Sequence, residues 1–136
     1  MHTLSHIDTL LVIEDEFFIA SELADLFGRH GVQSVEVVAS ISQCLDLLAR
    51  QAIDFATVDV SLSDGWCDEL VEELTARSIP FVYVSGYNPG DRRELRSAAW
   101  VRKPVVEEEL LCAVQAARPA TTFRRGAGDD DFSPAL

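Results

Sequence analysis

The sequence has few basic residues and few cysteines, and these two shortages exclude several classes of protein. Lysine and arginine number 11 against 23 aspartates and glutamates, which gives a formal net charge of −12. A protein that neutralises phosphates needs a basic surface, so we expect neither a nucleic-acid partner nor an anionic membrane partner. Three cysteines, an odd number, argue against a disulfide framework or a Cys-rich zinc site and favour the reducing cytoplasm.

Long apolar runs are also missing. The sequence contains no apolar stretch of about 18 residues and does not begin with a basic and then apolar leader, so we predict neither a spanning helix nor a secretory signal. Hydrophobic residues still make up 48% of the 136 residues, which is enough to build the core of one domain.

Short apolar runs alternate with helical stretches along the chain. We predict strands over residues 10–13, 35–39, 55–60, 81–84 and 100–102, and helices over 16–29, 41–52, 66–77, 91–98 and 105–118. Strands this continuously apolar are typical of a parallel sheet covered on both faces. The pattern therefore predicts an α/β fold with a doubly wound, five-stranded parallel sheet.

Both ends of the chain are expected to lie outside this domain, which we place at residues 7–118. The first six residues are predicted to be loose. The stretch 119–136 contains two glycines, a run of three aspartates and two prolines, and is predicted to be a flexible acidic tail.

Polar residues follow four of the predicted strands. Glu14 and Asp15 follow the first strand, Asp59 lies at the end of the third, Ser85 ends the fourth and Lys103 follows the fifth. The carboxyl ends of parallel strands meet at one edge of a sheet, where ligands bind. Any one of these residues alone is more often a cap or a turn residue. Their coincidence at four strand ends favours a common site.

The chemistry of this set points to magnesium and phosphate. Carboxylates brought together repel one another unless a cation lies among them, and a few oxygen ligands suit magnesium. A metal, an ammonium group and a hydroxyl group around one carboxylate would neutralise a phosphoryl group bound to it. This is what phosphoryl transfer to an aspartate requires.

The same residues resemble those of the receiver domain of two-component response regulators. The segments that carry the resemblance lie at 11–16, 58–65, 84–87 and 102–104. The resemblance implies a flavodoxin-like (βα)5 fold with strand order 2-1-3-4-5. It also implies a magnesium cofactor, with manganese as a substitute.

The resemblance further implies a role for each matching residue. Glu14 and Asp15 match the acidic pair that holds the metal together with Asp59. The backbone carbonyl of Ser61 matches a further metal ligand. Asp59 itself matches the aspartate that accepts the phosphoryl group.

Four more positions carry implied roles in the phosphorylated state. Ser85 matches the switch hydroxyl, and Lys103 matches the lysine that pairs with the phosphoryl group. Trp100 stands at the position of the switch aromatic, where a rotamer switch and a simple hydrophobic plug are equally compatible with the sequence. Ser61 and Tyr87 lie at positions that set the phosphoryl lifetime, and we expect the Tyr87 ring to slow hydrolysis.

Two departures from the family pattern affect the expected output surface. Ser63 stands where the family usually has a proline. The predicted helix over 91–98 is short, highly charged and weakly apolar, so we expect it to be shifted or poorly anchored. Dimerisation through the face built on that helix is therefore not expected.

The preferred function is a single-domain response regulator in the cytoplasm that acts without being an enzyme, apart from autocatalytic phosphorylation and dephosphorylation. It would take its phosphoryl group from a histidine kinase or a histidine phosphotransferase. Because few residues follow Arg118, its output would be contact with a downstream protein or phosphate relay.

Other functions are compatible with parts of the pattern. A phosphatase-type enzyme could use Asp59 as its nucleophile, but Ser61 stands where such enzymes carry a second acid. A receiver-like binding module that works without phosphorylation is another alternative. A flavin or nucleotide module is disfavoured because the acidic run 14–16 would repel phosphate.

Overall fold

The computed structural model describes residues 3–92 and 94–119. In chain order the strands are β1 (Thr9–Ile13), β2 (Ser34–Val38), β3 (Phe55–Val58), β4 (Ser61–Leu62), β5 (Gly65–Trp66), β6 (Phe81–Ser85) and β7 (Trp100–Arg102). The helices are α1 (Phe17–Arg29), α2 (Ile41–Arg50), α3 (Asp68–Ala76) and α4 (Glu107–Ala116). Five strands form a parallel sheet in the order β2-β1-β3-β6-β7. The predicted fold class and strand order are confirmed.

The central strands β1, β3 and β6 are buried on both faces because apolar side chains occupy most positions of each. Alternate residues of one strand point to opposite faces, so Leu11 and Ile13 of β1 belong to one hydrophobic core while Leu10 and Val12 belong to the other. The first core includes buried residues of α2 and α3, and the second includes those of α1 and α4. The two hydrophobic cores therefore pack against opposite faces of the sheet and fix the positions of its strands.

The register brings the chemically active residues to one edge of the sheet. Ile13 lies opposite Val58, and Val58 lies opposite Tyr83. Because these strands are parallel, the residues that follow the paired positions leave the sheet on the same side. Glu14, Asp59 and Ser85 therefore converge, although they are far apart in the sequence.

The predicted third helix begins later than expected. Residues 66–77 were expected to be helical, but α3 begins at Asp68 because Trp66 and Gly65 pair with Ser61 and Leu62 in a small antiparallel hairpin. The preceding strand, predicted to reach residue 60, accordingly ends at Val58.

The predicted fourth helix, over residues 91–98, does not form; its residue 93 lies outside the described residues. A single 3-10 turn, Pro89–Asp91, follows β6, and the described residues 96–99 are not helical. Side-chain contacts replace helical packing here. The Tyr83 hydroxyl donates to the carbonyl of Arg96 at 2.7 Å, and the Arg96 side chain bonds Glu72 of α3. The segment between β6 and β7 has too few apolar side chains to anchor a helix. Its arginines instead form ion pairs with Asp68 and Glu72 of α3, which hold it in an irregular conformation.

The prediction that the first six residues are loose is wrong for Leu4. This side chain is buried in the core beside α1, and its amide donates to the carbonyl of His30 at 2.7 Å. Ile7 is buried in the same core. The packed unit therefore starts earlier than residue 7. From Ala120 onward, the predicted flexible acidic tail lies outside the described residues.

None of the helices in the described ranges combines the length and the apolar character needed to cross a bilayer.

We predict that Leu4→Ala lowers the free energy of unfolding by about 2–5 kcal/mol, because it removes a fully buried side chain and leaves a cavity. Chemical denaturation monitored by circular dichroism measures this loss. Phe18→Ala is the control, because Phe18 is 82% exposed and its substitution should change stability by no more than about 0.5 kcal/mol. Equal effects of the two substitutions would contradict the packing of Leu4.

Candidate functional site

Asp59 lies at the centre of the site, directly after β3. Its amide donates to the carbonyl of Ile13, which fixes the backbone against β1. The side chain is 5% exposed, and each carboxylate oxygen has its own donor. Oδ1 accepts the Ser85 hydroxyl at 2.7 Å, and Oδ2 accepts the Lys103 ammonium at 2.9 Å. The carboxylate is thus held in one orientation, facing the carboxyl edge of the sheet.

Lys103 is the only cation among the described residues that contacts the acidic cluster. Its Nζ lies 2.9 Å from Asp59 Oδ2, 2.9 Å from Glu14 Oε1 and 3.1 Å from Glu16 Oε1. Burial alone would lower the pKa of Lys103, but the hydrogen bonds to Asp59 and Glu14 outweigh it and raise the pKa above its usual value. The lysine therefore stays charged and offsets part of the carboxylate repulsion.

Glu14 is the most buried carboxylate of the cluster, at 2% exposure. Burial raises its pKa from 4.5 to about 7, against the opposing effect of the hydrogen bond from Lys103. Its Oε2 accepts the amide of Glu16 at 3.0 Å. Its Oε1 lies near Lys103 Nζ but outside hydrogen-bonding geometry, and it has no hydrogen-bond partner among the described residues. A buried carboxylate oxygen without a hydrogen bond fits a site for a cation.

Glu14, Asp15 and Asp59 form a group that could hold a metal ion. One carboxylate oxygen from each residue lies within 4.8 Å of the others. Three oxygen donors at one open edge fit magnesium, which keeps several water ligands. The adjoining cleft, about 330 Å³ in volume, is also lined by Ser61 and Lys103. The structure therefore brings together the residues that the sequence assigned to the metal.

Ser85 and Trp100 are linked through the end of β6. Ser85 is fully buried, and its Oγ also accepts the amide of Tyr87 at 3.1 Å. The indole N–H of Trp100 donates to the carbonyl of Ser85 at 3.0 Å. The half-buried Trp100 ring packs against the core that includes α2 and α3, as do Leu95 and Ala98. Trp100 thus lies at the edge of the sheet and is hydrogen-bonded to the end of β6, and its role as a plug or as a rotamer switch stays a prediction.

Tyr87 lies at the mouth of the cleft and is 57% exposed. Its ring meets that of Trp66 edge to face, with the centroids 5.6 Å apart. The Arg92 guanidinium lies 4.4 Å from the Trp66 ring centroid and donates to Asp68 at 2.6 Å. Arg92, from the irregular connection between β6 and β7, therefore contacts the aromatic pair of Trp66 and Tyr87 through the Trp66 ring.

Sequence reasoning assigned no role to Glu16 or Arg92. Glu16 directly follows the predicted acidic pair, Glu14 and Asp15, so its position in the sequence could have indicated its contact with Lys103. Arg92 stood in a segment predicted to be helical, and its contact with Trp66 had no such signal. The contact depends on how that segment folds back onto α3.

The cysteines are packing residues or surface residues. Cys44 and Cys67 are buried, and burial raises the pKa of each thiol to about 12. Cys112 is exposed. Cys67 directly precedes α3 near the site, and its burial with a raised pKa disfavours the reactive thiolate form.

Comparison with known proteins gives a consistent result. A family model described as "Response regulator receiver domain" matches residues 10–115. Among curated proteins no match was found. Solved structures with similar folds include SdrG from Sphingomonas melonis Fr1, which is 28% identical with a TM-score of 0.71, over 81% of this chain and 95% of that one.

Two further structures are similar over comparable lengths. A sensor protein from Polaromonas sp. JS666 is 27% identical, with a TM-score of 0.71 over 81% of this chain and 94% of that chain. A CheY-like response regulator receiver domain from Methylobacillus flagellatus is 24% identical, with a TM-score of 0.69 over 81% of this chain and 98% of that chain. At that identity the last comparison supports the fold alone.

We predict that ionised Glu14 destabilises the metal-free protein. Because its pKa is about 7 in the folded chain and 4.5 in the unfolded chain, the folded state binds more protons between these values. Its contribution to the free energy of unfolding therefore falls as the pH rises through that window. Glu14→Gln does not titrate at this position, so its stability advantage over the unsubstituted protein should grow from pH 4.5 to pH 7.

Denaturation in the presence of a chelator, repeated across this pH range for both proteins, measures the difference. Glu36→Gln, a substitution at the edge strand β2 away from the site, is the control. A stability difference between Glu14→Gln and the unsubstituted protein that does not change with pH would contradict the assignment.

Proposed function

This chain belongs to the response regulator receiver domain family, and from that premise we propose that Asp59 accepts a phosphoryl group in a magnesium-dependent reaction. The observation that carries the proposal is the pair of donors on its carboxylate, the Ser85 hydroxyl on Oδ1 and the Lys103 ammonium on Oδ2. Both donors are suited to phosphoryl oxygens once these replace the carboxylate as their partner.

In the proposed reaction, an oxygen of the Asp59 carboxylate forms a bond to phosphorus as the phosphorus–nitrogen bond of a phosphohistidine breaks. The imidazole of the donor protein is the leaving group. Lys103 then pairs with one phosphoryl oxygen, and Ser85 donates its hydroxyl hydrogen to another. Glu14, Asp15 and Asp59, with the backbone carbonyl of Ser61, would hold a magnesium ion, which would supply further positive charge to the phosphoryl oxygens.

The donor is proposed to be a histidine kinase or a histidine phosphotransferase, as the family implies. Phe17 and Phe18 support a protein contact at this edge, because they are 76% and 82% exposed and begin α1 directly beside Glu16. Large exposed aromatic side chains are typical of protein interfaces. A donor histidine must approach over this same edge to reach Asp59.

Members of the receiver family are in general signalling regulators and not enzymes, and we assign this chain the same role in the cytoplasm. The receiver unit is proposed to extend from Leu4 to Arg118. Its output would be contact with a downstream protein or passage of the phosphoryl group to a second histidine. A phosphatase-type activity is less well supported, because Ser61 occupies the position at which such enzymes carry a second acid.

We predict that incubation with magnesium and acetyl phosphate adds one phosphoryl group to the protein, because Asp59 is held ready by two donors. Intact-mass spectrometry measures the gain. Asp59→Asn and added chelator should each abolish it, whereas Asp54→Asn, at the opposite edge of the sheet, should not. If small donors fail, phosphotransfer from a panel of histidine kinases is the next assay, and failure there too would leave only the binding-module alternative.

We predict that Tyr87→Ala shortens the lifetime of the phosphoryl group on Asp59, because Tyr87 lines the cleft beside Asp59 and its ring would hinder the approach of water. The decay of the phosphorylated mass after removal of the donor measures the lifetime. Tyr87→Phe is the control and should leave the lifetime close to that of the unsubstituted protein. A lifetime that is unchanged or longer in Tyr87→Ala would remove this role.

A further inference from the structure

The hairpin of β4 and β5 follows Asp59 directly and contains Ser61. It pairs only Ser61 with Trp66 and Leu62 with Gly65. A hairpin of two residues on each strand is not stable alone in water, so its position depends on contacts with the rest of the fold. The family's usual proline is absent here, and Ser63 in its place donates a long hydrogen bond, 3.5 Å, to the carbonyl of Ala39.

Besides this hydrogen bond, two contacts hold the hairpin in place, and the first is apolar. The Leu62 side chain is buried in the core shared with α2 and α3. Gly65 lies close to the first residue of α2, since a Cβ at Gly65 would come within 3.2 Å of Ile41 Cδ1. Gly65 also has a φ of +144°, which other residues rarely adopt. The tip of the hairpin is thus pressed against the start of α2.

The second contact is polar and involves Asp64, at the tip. Its Oδ1 accepts the amide of Ile41 at 2.8 Å, and its Oδ2 accepts the amide of Ser42 at 3.3 Å. These amides are the first two of α2 and have no partner within the helix. The bond from Ile41 contributes most to holding the pKa of Asp64 below its usual range, so the carboxylate is charged at neutral pH.

Helix α2 has a cap of its own, so the contact with Asp64 is additional. The Ser40 side chain accepts the amide of Gln43 but leaves the amides of Ile41 and Ser42 free. The first turn of α2 contains no acidic residue. Asp64 therefore supplies from another loop the negative charge that a helix N-terminus favours.

We propose that Asp64 is a positioning residue, which holds the Ser61 backbone in place beside Asp59 by capping helix α2 across the fold. This proposal rests on the proposed function, because it concerns the loop that would supply the carbonyl ligand of magnesium. Asp64 itself touches neither Asp59 nor the acidic cluster. Its effect passes through the hairpin, whose other end is continuous with the acceptor residue.

The test is the affinity for magnesium, measured by calorimetry on the full chain after treatment with chelator. Asp64→Ala should weaken binding on the order of tenfold, the scale found when groups that orient metal ligands are removed. Asp64→Asn keeps one oxygen for the Ile41 amide and should give an intermediate affinity. If Asp64→Ala does not fold, the comparison of Asp64→Asn with the unsubstituted protein decides.

Asp54 provides the matched control. Its Oδ2 accepts the amide of Thr9 at 2.9 Å, so it is also an exposed aspartate that bonds a backbone amide across the fold, but at the opposite edge of the sheet. Asp54→Ala and Asp54→Asn should lower stability without changing the magnesium affinity. If Asp64 had a merely structural role, its Ala and Asn substitutions would act like those of Asp54, lowering stability and leaving the magnesium affinity unchanged.

Hydrogen exchange in the metal-free protein supplies a second readout. Asp64→Ala should speed exchange of the hairpin amides of Leu62 and Trp66, while Asp54→Ala should not. Magnesium binding that is unaffected by Asp64→Ala, or affected equally by Asp54→Ala, would overturn the proposal. Absence of magnesium binding by the unsubstituted protein would instead overturn the proposed function, and with it the role of Asp64.

Discussion

The ion pair between Lys103 and Asp59 is the interaction on which the site depends. The ends of two strands, β1 and β3, bring carboxylates to one edge, and their mutual repulsion would oppose the fold without a cation among them. Lys103 supplies that charge from the end of β7. The same ammonium group is then available to a phosphoryl group. The residue that makes the acidic cluster tolerable in the folded chain is thus also the one that the proposed reaction uses.

Unequal burial gives the three metal-ligand candidates different properties. Glu14 is buried and has a raised pKa, Asp15 is exposed, and Asp59 is buried with both oxygens hydrogen-bonded. A cation would therefore contact Glu14, one of whose carboxylate oxygens lacks a hydrogen bond, and Asp59, whose carboxylate is already oriented by two donors. In the proposed function, Glu14 and Asp15 would hold the metal together with Asp59, and Asp59 would also accept the phosphoryl group.

The surroundings of the site are fastened by polar contacts where the apolar core is thin. The connection between β6 and β7 is held to α3 by Arg92 and Arg96, and the hairpin after Asp59 is held to α2 by Asp64. Partly exposed polar contacts are weaker than core packing and are sensitive to salt. The segments around Asp59 are therefore easier to shift than the sheet that carries them, which suits a regulated site.

The sequence by itself determined the sheet, its strand order through the family resemblance, and the residues at the strand ends. It could do so because the apolar runs of strands such as Leu10–Ile13 are long enough to specify their burial, and parallel strands place their ends together. The identities of Glu14, Asp59, Ser85 and Lys103 then defined the chemistry. Only the tertiary structure decided that the described residues of 91–98 form no α-helix, that Leu4 is packed, and that Asp64 caps α2. These features depend on contacts between distant segments, which no local pattern of residues encodes.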